Sequence, residues 1–191
     1  SLLSNHPMNL GFAVGDYLPE ADLVLVLESA VPWVPRNVEP NKNAKLIHLS
    51  PDPHYSGLPY RGFEMDVAIS GEPLQSIELI GKALRLHKDL KSSVIKTRLA
   101  KITKIHNEHM AKKKKVMNTA GSKTPILASW VAACLNKVKA DNSIIVSELG
   151  LNIDHIDYKV PGSIVSGAQA GGLGFGLGAA LGAKLAEPDR D

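Results

Sequence analysis

Leu23-Val24-Leu25-Val26-Leu27 is an apolar run of five residues without a polar break, preceded by Glu20-Ala21-Asp22 and followed by a stretch that carries Pro32, Pro35 and Pro40. A run this short and this uniformly apolar suits a parallel strand covered on both faces better than an alternating antiparallel one. Parallel pairing needs crossover connections, so the run steers the chain toward an α/β architecture with this strand at its centre. The segment Glu28–Pro40 then has to be a loop at the strand's carboxyl end, because proline lacks the N–H that regular structure uses. Loops at that edge of an open α/β sheet are where ligands bind.

A second strand is predicted over Lys45–Ser50, stopped by Pro51-Asp52-Pro53, and a third over Met65–Ile69, ahead of Ser70-Gly71. From Pro73 to Leu86 the residues Leu74, Ile77, Ile80 and Leu84 recur at the spacing of an amphipathic helix. Before the first strand, Leu10, Phe12, Ala13, Val14 and Tyr17 favour a further helix over Asn5–Leu18, ended by Pro19. These elements add up to a Rossmann-like, doubly wound parallel sheet in a domain of residues 1–88. Asp52 follows the second strand and could meet a ribose hydroxyl; without a preceding G-x-G-x-x-G, a turn role between its two prolines is the simpler reading.

Residues 89–120 form a basic helical linker: Val94, Ile95, Leu99, Ile102, Ile105 and Met110 punctuate the lysine-rich stretch Ser92–Asn118. Lys112–Lys115 read as a solvated helix end, where cations complement the dipole. His106 and His109 stand one helical turn apart, but H-N-E-H is not H-E-x-x-H, so they read as surface histidines and no metal ligand is predicted. Past Gly121-Ser122, Thr124-Pro125 offers an N-cap and a first-turn proline for a helix over Pro125–Val138, with Ile126, Trp130 and Cys134 on its apolar face. Ile144–Ser147 is a buried strand, and Glu148-Leu149-Gly150-Leu151-Asn152 lies at its carboxyl end.

Gly162–Asp191 reads GSIVSGAQAGGLGFGLGAALGAKLAEPDRD. The glycines up to Gly174 let the backbone approach something closely, and Phe175–Ala186 is a small-residue helix that Pro188 stops. A glycine turn feeding a helix presents backbone N–H groups and the positive end of a dipole, which suits an anion or a flat cofactor. Close helix packing would explain the same small residues, and G-G-L-G-F-G is neither a dinucleotide fingerprint nor a P-loop.

The block G-L-G-F-G-L-G-A-A-L-G-A-K-L-A-x-P-D-R resembles the one that opens the pyrophosphate-binding domain of thiamine-diphosphate enzymes such as acetolactate synthase, benzoylformate decarboxylase and pyruvate decarboxylase. The order EADLVLVL, a proline-bearing loop, AKLIHLSPDP and DVAISG is similar to their middle domain. The resemblance implies that residues 121–191 are the first part of the pyrophosphate domain, an incomplete second α/β domain. It also implies that the Gly171 carbonyl accepts a hydrogen bond from the aminopyrimidine and that Leu173 wedges between the two rings to hold the cofactor bent. Gly172 and Gly174 would shape the turn. Leu149 and Leu151 stand where relatives carry hydroxyl side chains, so a contact from that loop would come from backbone, as at Gly150, or from Asn152; a purely structural turn is the alternative.

The implied reaction is decarboxylation or ligation of a 2-oxo acid with thiamine diphosphate and magnesium, in a homodimer or homotetramer, the cofactor carrying the chemistry. The family's Gly-Asp-Gly with its later Asn, which hold magnesium, and its activating glutamate on a pyrimidine-binding domain have no counterpart in this sequence. The chain is therefore expected to be an internal piece of a longer enzyme, with no catalytic residue of its own. FAD, which acetolactate synthases hold in the middle domain, is not carried over, because Val31-Pro32-Trp33-Val34-Pro35 replaces the Arg-Phe-Asp loop of flavin-binding members. Alternatives are a stand-alone nucleotide- or FAD-binding module, a simple 2-oxo acid or oxalyl-CoA-type decarboxylase, and an architectural protein that dimerises through the glycine helix.

Charge and composition narrow the partners. The net charge of +3 sits largely in one lysine run, so no nucleic-acid partner is implied. A lone Cys134 excludes an internal disulfide and suits a reducing cytoplasm, and no stretch reaches the roughly 20 apolar residues of a membrane span.

Overall fold

A computed structural model describes residues 2–60, 62–87, 91–167 and 172–191. The chain divides into two units, Ala13–Val94 and a second made of Ser1–Phe12 with Ile95–Asp191. Both mix helices with parallel strands.

In the first unit β1 (Leu23–Leu27), β2 (Lys45–Ser50) and β3 (Val67–Ser70) pair in parallel in the order β1-β2-β3. Leu49 of β2 stands opposite Leu27 on one side and Ile69 on the other. The central strand is thus β2, not β1 as the apolar run suggested. Burial explains the difference: Val26 is 9% exposed whereas Leu23 is 53% exposed, and Leu25 and Leu27 share its open face. An unbroken apolar run reports the character of both faces without reporting that both are covered.

The connection from β1 to β2 is the proline loop, and it turns Trp33 back into the core with Leu18 and Val26. The Trp33 ring meets Phe63 edge-on, with centroids 5.2 Å apart at 86°. Each such buried side chain contributes roughly 1.5–3 kcal/mol. The loop read as a candidate ligand edge therefore spends its largest side chain on packing. Asp52 takes the turn role, its Oδ2 accepting the Ser56 N–H at 2.6 Å and the Ser56 hydroxyl at 2.8 Å. Helix α1 (Pro73–Leu86) starts with proline in its first turn and has no fully buried residue.

The helix expected over Asn5–Leu18 is absent; only short 3-10 turns at Val14–Asp16 and Leu18–Glu20 form. Local side-chain bonds divert the backbone. Asn9 Oδ1 accepts the Gly11 N–H at 2.9 Å, and Gly11 sits at φ +85°, the left-handed region where a helix cannot pass. In the second unit this amino-terminal stretch pairs with the Tyr158 region: Ser4 Oγ donates to the Tyr158 carbonyl and accepts its N–H, both at 3.0 Å.

Helix α2 (Ser92–Ala120) belongs to the second unit from Ile95 onward. Two of its polar residues are not on the surface as expected. His106 is 6% exposed, with Nδ1 2.7 Å from the Asn9 carbonyl, and Lys113 is 7% exposed, donating from Nζ to Asp157 at 3.1 Å. Each has a partner, which is what allows a polar group to be buried.

Helix α3 (Ala128–Val138) begins three residues beyond Pro125, with extended Leu127 at its N-cap. Its buried face is Ser129, Ala132 and Ala133, with Trp130 half-buried beside them, whereas Ile126 is 73% exposed and Cys134 is exposed. Strands β4 (Ile145–Ser147) and β5 (Ile164–Ser166) pair in parallel, and α4 spans Phe175–Ala186. Arg190 ties the entrances of the two strands together, donating to the Asn142 carbonyl at 2.7 Å and to Ser163 Oγ at 2.8 Å.

Candidate functional site

Glycine at the head of α4 leaves that helix without a side-chain cap of its own, since its N-cap is Gly174. The acceptor comes from the end of β4. Glu148 Oε1 accepts the Gly174 N–H at 2.5 Å, and its Oε2 accepts the Gly176 N–H at 2.7 Å. The carboxylate also sits where the helix dipole favours negative charge. Contact is close enough that a Cβ on Gly176 would stand 3.0 Å from Oε2 and 3.3 Å from the Glu148 Cβ. The donors that sequence reasoning left open for an anion are thus engaged by Glu148.

The Gly176 and Gly174 amides hold the Glu148 carboxyl below the usual glutamate value of 4.5, against a smaller opposing effect of burial. A folded value below the unfolded one means that this interaction is fully present above pH 4.5 and is lost as the pH falls through the folded value. Glu148→Gln keeps the shape but replaces a charged acceptor with a neutral one, which makes about half as strong a bond. Amide exchange at Gly174 and Gly176 is expected to quicken several-fold in the variant and to lose its acid-dependent component. Unchanged protection by NMR would show that the carboxylate does not hold the turn.

Of the sequence-predicted site residues, Gly171 lies outside the described residues. Leu173 stands at the head of α4 with 79% of its surface exposed. Gly174 adopts φ +92° and ψ 0°, a left-handed conformation that glycine alone enters freely. Gly172 lies outside that region, and a Cβ there would meet nothing within 4 Å, so the chain's own packing does not demand glycine at this position. Gly150 is left-handed at φ +78° with open space around it.

Asn152 opens the turn Ile153–His155, its carbonyl accepting the His155 N–H at 3.0 Å. That turn is held by α3: Asn136 Nδ2 donates to the His155 carbonyl at 2.8 Å, and Asn136 Oδ1 accepts the Asp157 N–H at 2.9 Å. The structure therefore joins the 148 end of the loop to the glycine turn, while Asn152 belongs to the α3 side. His155 has both ring nitrogens buried without a partner, and burial first, then Lys113 and His109 nearby, push its pKa below 6.5 against the pull of Asp154.

Glu148 and Arg190 are the residues that sequence reasoning left without a role. A signal for the first was present: a helix opening on glycine lacks its own acceptor, and the nearest acidic residue at a strand end can supply one. Leu177, Leu181 and Leu185 recur every four residues and are each more than 60% exposed, an apolar row along α4.

No protein-family model matches this chain, and no curated protein matches it either. Among the described residues, no helix is long and apolar enough to cross a membrane.

Proposed function

We propose that the chain is the Rossmann-like middle domain and the start of the pyrophosphate-binding domain of a thiamine-diphosphate- and magnesium-dependent enzyme. That enzyme decarboxylates or ligates 2-oxo acids and is most like acetolactate synthase. The observation that carries the reading is the meeting of two segments that the resemblance assigns to the cofactor. At the carboxyl ends of parallel β4 and β5, the Glu148 carboxylate accepts the Gly174 and Gly176 amides, and Leu173, the residue before Gly174, is 79% exposed. Carboxyl ends of parallel strands are where α/β folds bind ligands.

The residues present suit a flat, two-ring group. Gly150, Gly172 and Gly174 each leave empty the space a Cβ would fill, so backbone there is open to close approach. Leu173, 79% exposed ahead of α4, is accessible to a ring bound over the turn. When bound, thiamine diphosphate supplies the electron sink for loss of CO2. The chain's own part is geometric: Leu173 supports the bend, Gly172 and Gly174 admit the backbone, and Glu148 fixes the turn. Among the described residues there is no group of three or more His, Cys, Asp or Glu that could hold a metal ion.

The test uses the protein its complete gene encodes, with pyruvate and a panel of other 2-oxo acids as probes. CO2 release that requires both thiamine diphosphate and Mg2+ is the expected result; no calorimetric binding of the cofactor at micromolar concentration would overturn it. The 191-residue chain alone is expected to show no turnover and negligible affinity, and tight binding by it would contradict the assignment of magnesium and activating glutamate to other segments.

A further inference from the structure

Away from the glycine turn, the second unit carries a groove of about 480 Å³ between α2 and α3. Its volume falls in the range of small-ligand sites. Met110, Met117, Ala133 and Trp130 provide an apolar floor, and Lys114 and Lys137 stand at its rim. Lys137 Nζ lies 5.5 Å from the centre of the Trp130 ring.

The walls are fixed before anything binds. Trp130 is set against Gly121 so closely that a Cβ there would stand 2.9 Å from the ring, which leaves no room for it to slide back. Lys113 and Asp157 are paired at 3.1 Å, and Asn136 has both ends of its amide engaged by the backbone of residues 155 and 157. Of the charged residues lining the groove, Lys113 and Asp157 offset one another, so Lys114 and Lys137 leave a net positive rim. Polarizable sulfur and an indole favour a flat aromatic partner, and the cations favour one that carries negative charge.

The geometry points to the α2–α3 groove as a binding site for a small aromatic molecule bearing an anionic group, the class to which nucleoside monophosphates belong. The site is separate from the Glu148 turn and does not depend on the thiamine-diphosphate reading.

Adenosine 5′-monophosphate serves as the probe, titrated into the whole chain and followed by amide chemical shifts and Trp130 fluorescence, with adenosine and inorganic phosphate as comparisons. Shifts concentrated in residues 110–118 and 130–137 are expected, with the nucleotide binding about 10-fold more tightly than adenosine. Lys114→Gln, at an exposed position, is expected to remove much of that preference while leaving adenosine affinity and the melting temperature unchanged. Equal affinity for adenosine and the nucleotide, equal shifts from phosphate alone, or shifts centred elsewhere would each overturn the proposal.

Discussion

On the thiamine-diphosphate reading proposed above, Leu173→Ala is expected to lower cofactor-dependent turnover by about 100-fold, the scale on which a misplaced reacting group slows a reaction. The same change is expected to leave the melting temperature of the 191-residue chain within about 1 °C, because surface substitutions cost at most about 0.5 kcal/mol. The two expectations go together because Leu173 is 79% exposed and so contributes little to the chain's own core. Leu177, one turn further along α4 and 74% exposed, is the control. Its alanine variant should keep turnover within about 3-fold, since it lies beyond the turn and a surface change of this kind is near neutral. Steady-state rates with saturating cofactor, read beside thermal melts, decide the matter. A melting temperature several degrees lower with turnover intact would make Leu173 a packing residue.

Leu49→Ala should destabilise the first unit by about 2–5 kcal/mol, the range for truncating a fully enclosed leucine. Leu49 is 0% exposed on β2, between Leu27 and Ile69 in the sheet, so the lost methyl groups leave a cavity that neither neighbouring strand can close. Leu25→Ala removes the same atoms from a side chain that is 40% exposed, and its cost should be smaller, because less burial is lost and solvent can fill the gap. Urea unfolding of both variants measures the contrast. Equal losses would mean that the open face of β1 is covered in solution.

The elements that were legible in the sequence are those whose signal is local. The run Leu23–Leu27, the stop at Pro51 and the glycine-to-alanine helix Phe175–Ala186 have bounds in the structure that match the expected ones. Sheet order was not legible, because whether β1 is covered depends on elements elsewhere in the chain. The amino-terminal helix failed for a related reason: Asn9 and Gly11 offer the backbone hydrogen bonds and a left-handed step that outweigh apolar spacing.

His106 and Lys113 look like solvated residues until the Asn9 carbonyl and Asp157 supply partners from distant segments. In α3 the buried side is marked by Ser129, Ala132 and Ala133, which read as neutral in a hydrophobic pattern yet let another surface come close. The candidate site was half legible. Its glycines and Leu173 are local features, whereas the role of Glu148 requires knowing that β4 ends beside the head of α4.

Glu148 gives the head of α4 a resident competitor. A diphosphate or any other anion reaching the Gly174 and Gly176 amides meets donors already in use, so docking there is an exchange of acceptors, not a simple addition. The strength of such binding is then a difference between newcomer and incumbent, and neutralising Glu148 by protonation tilts the balance toward the newcomer.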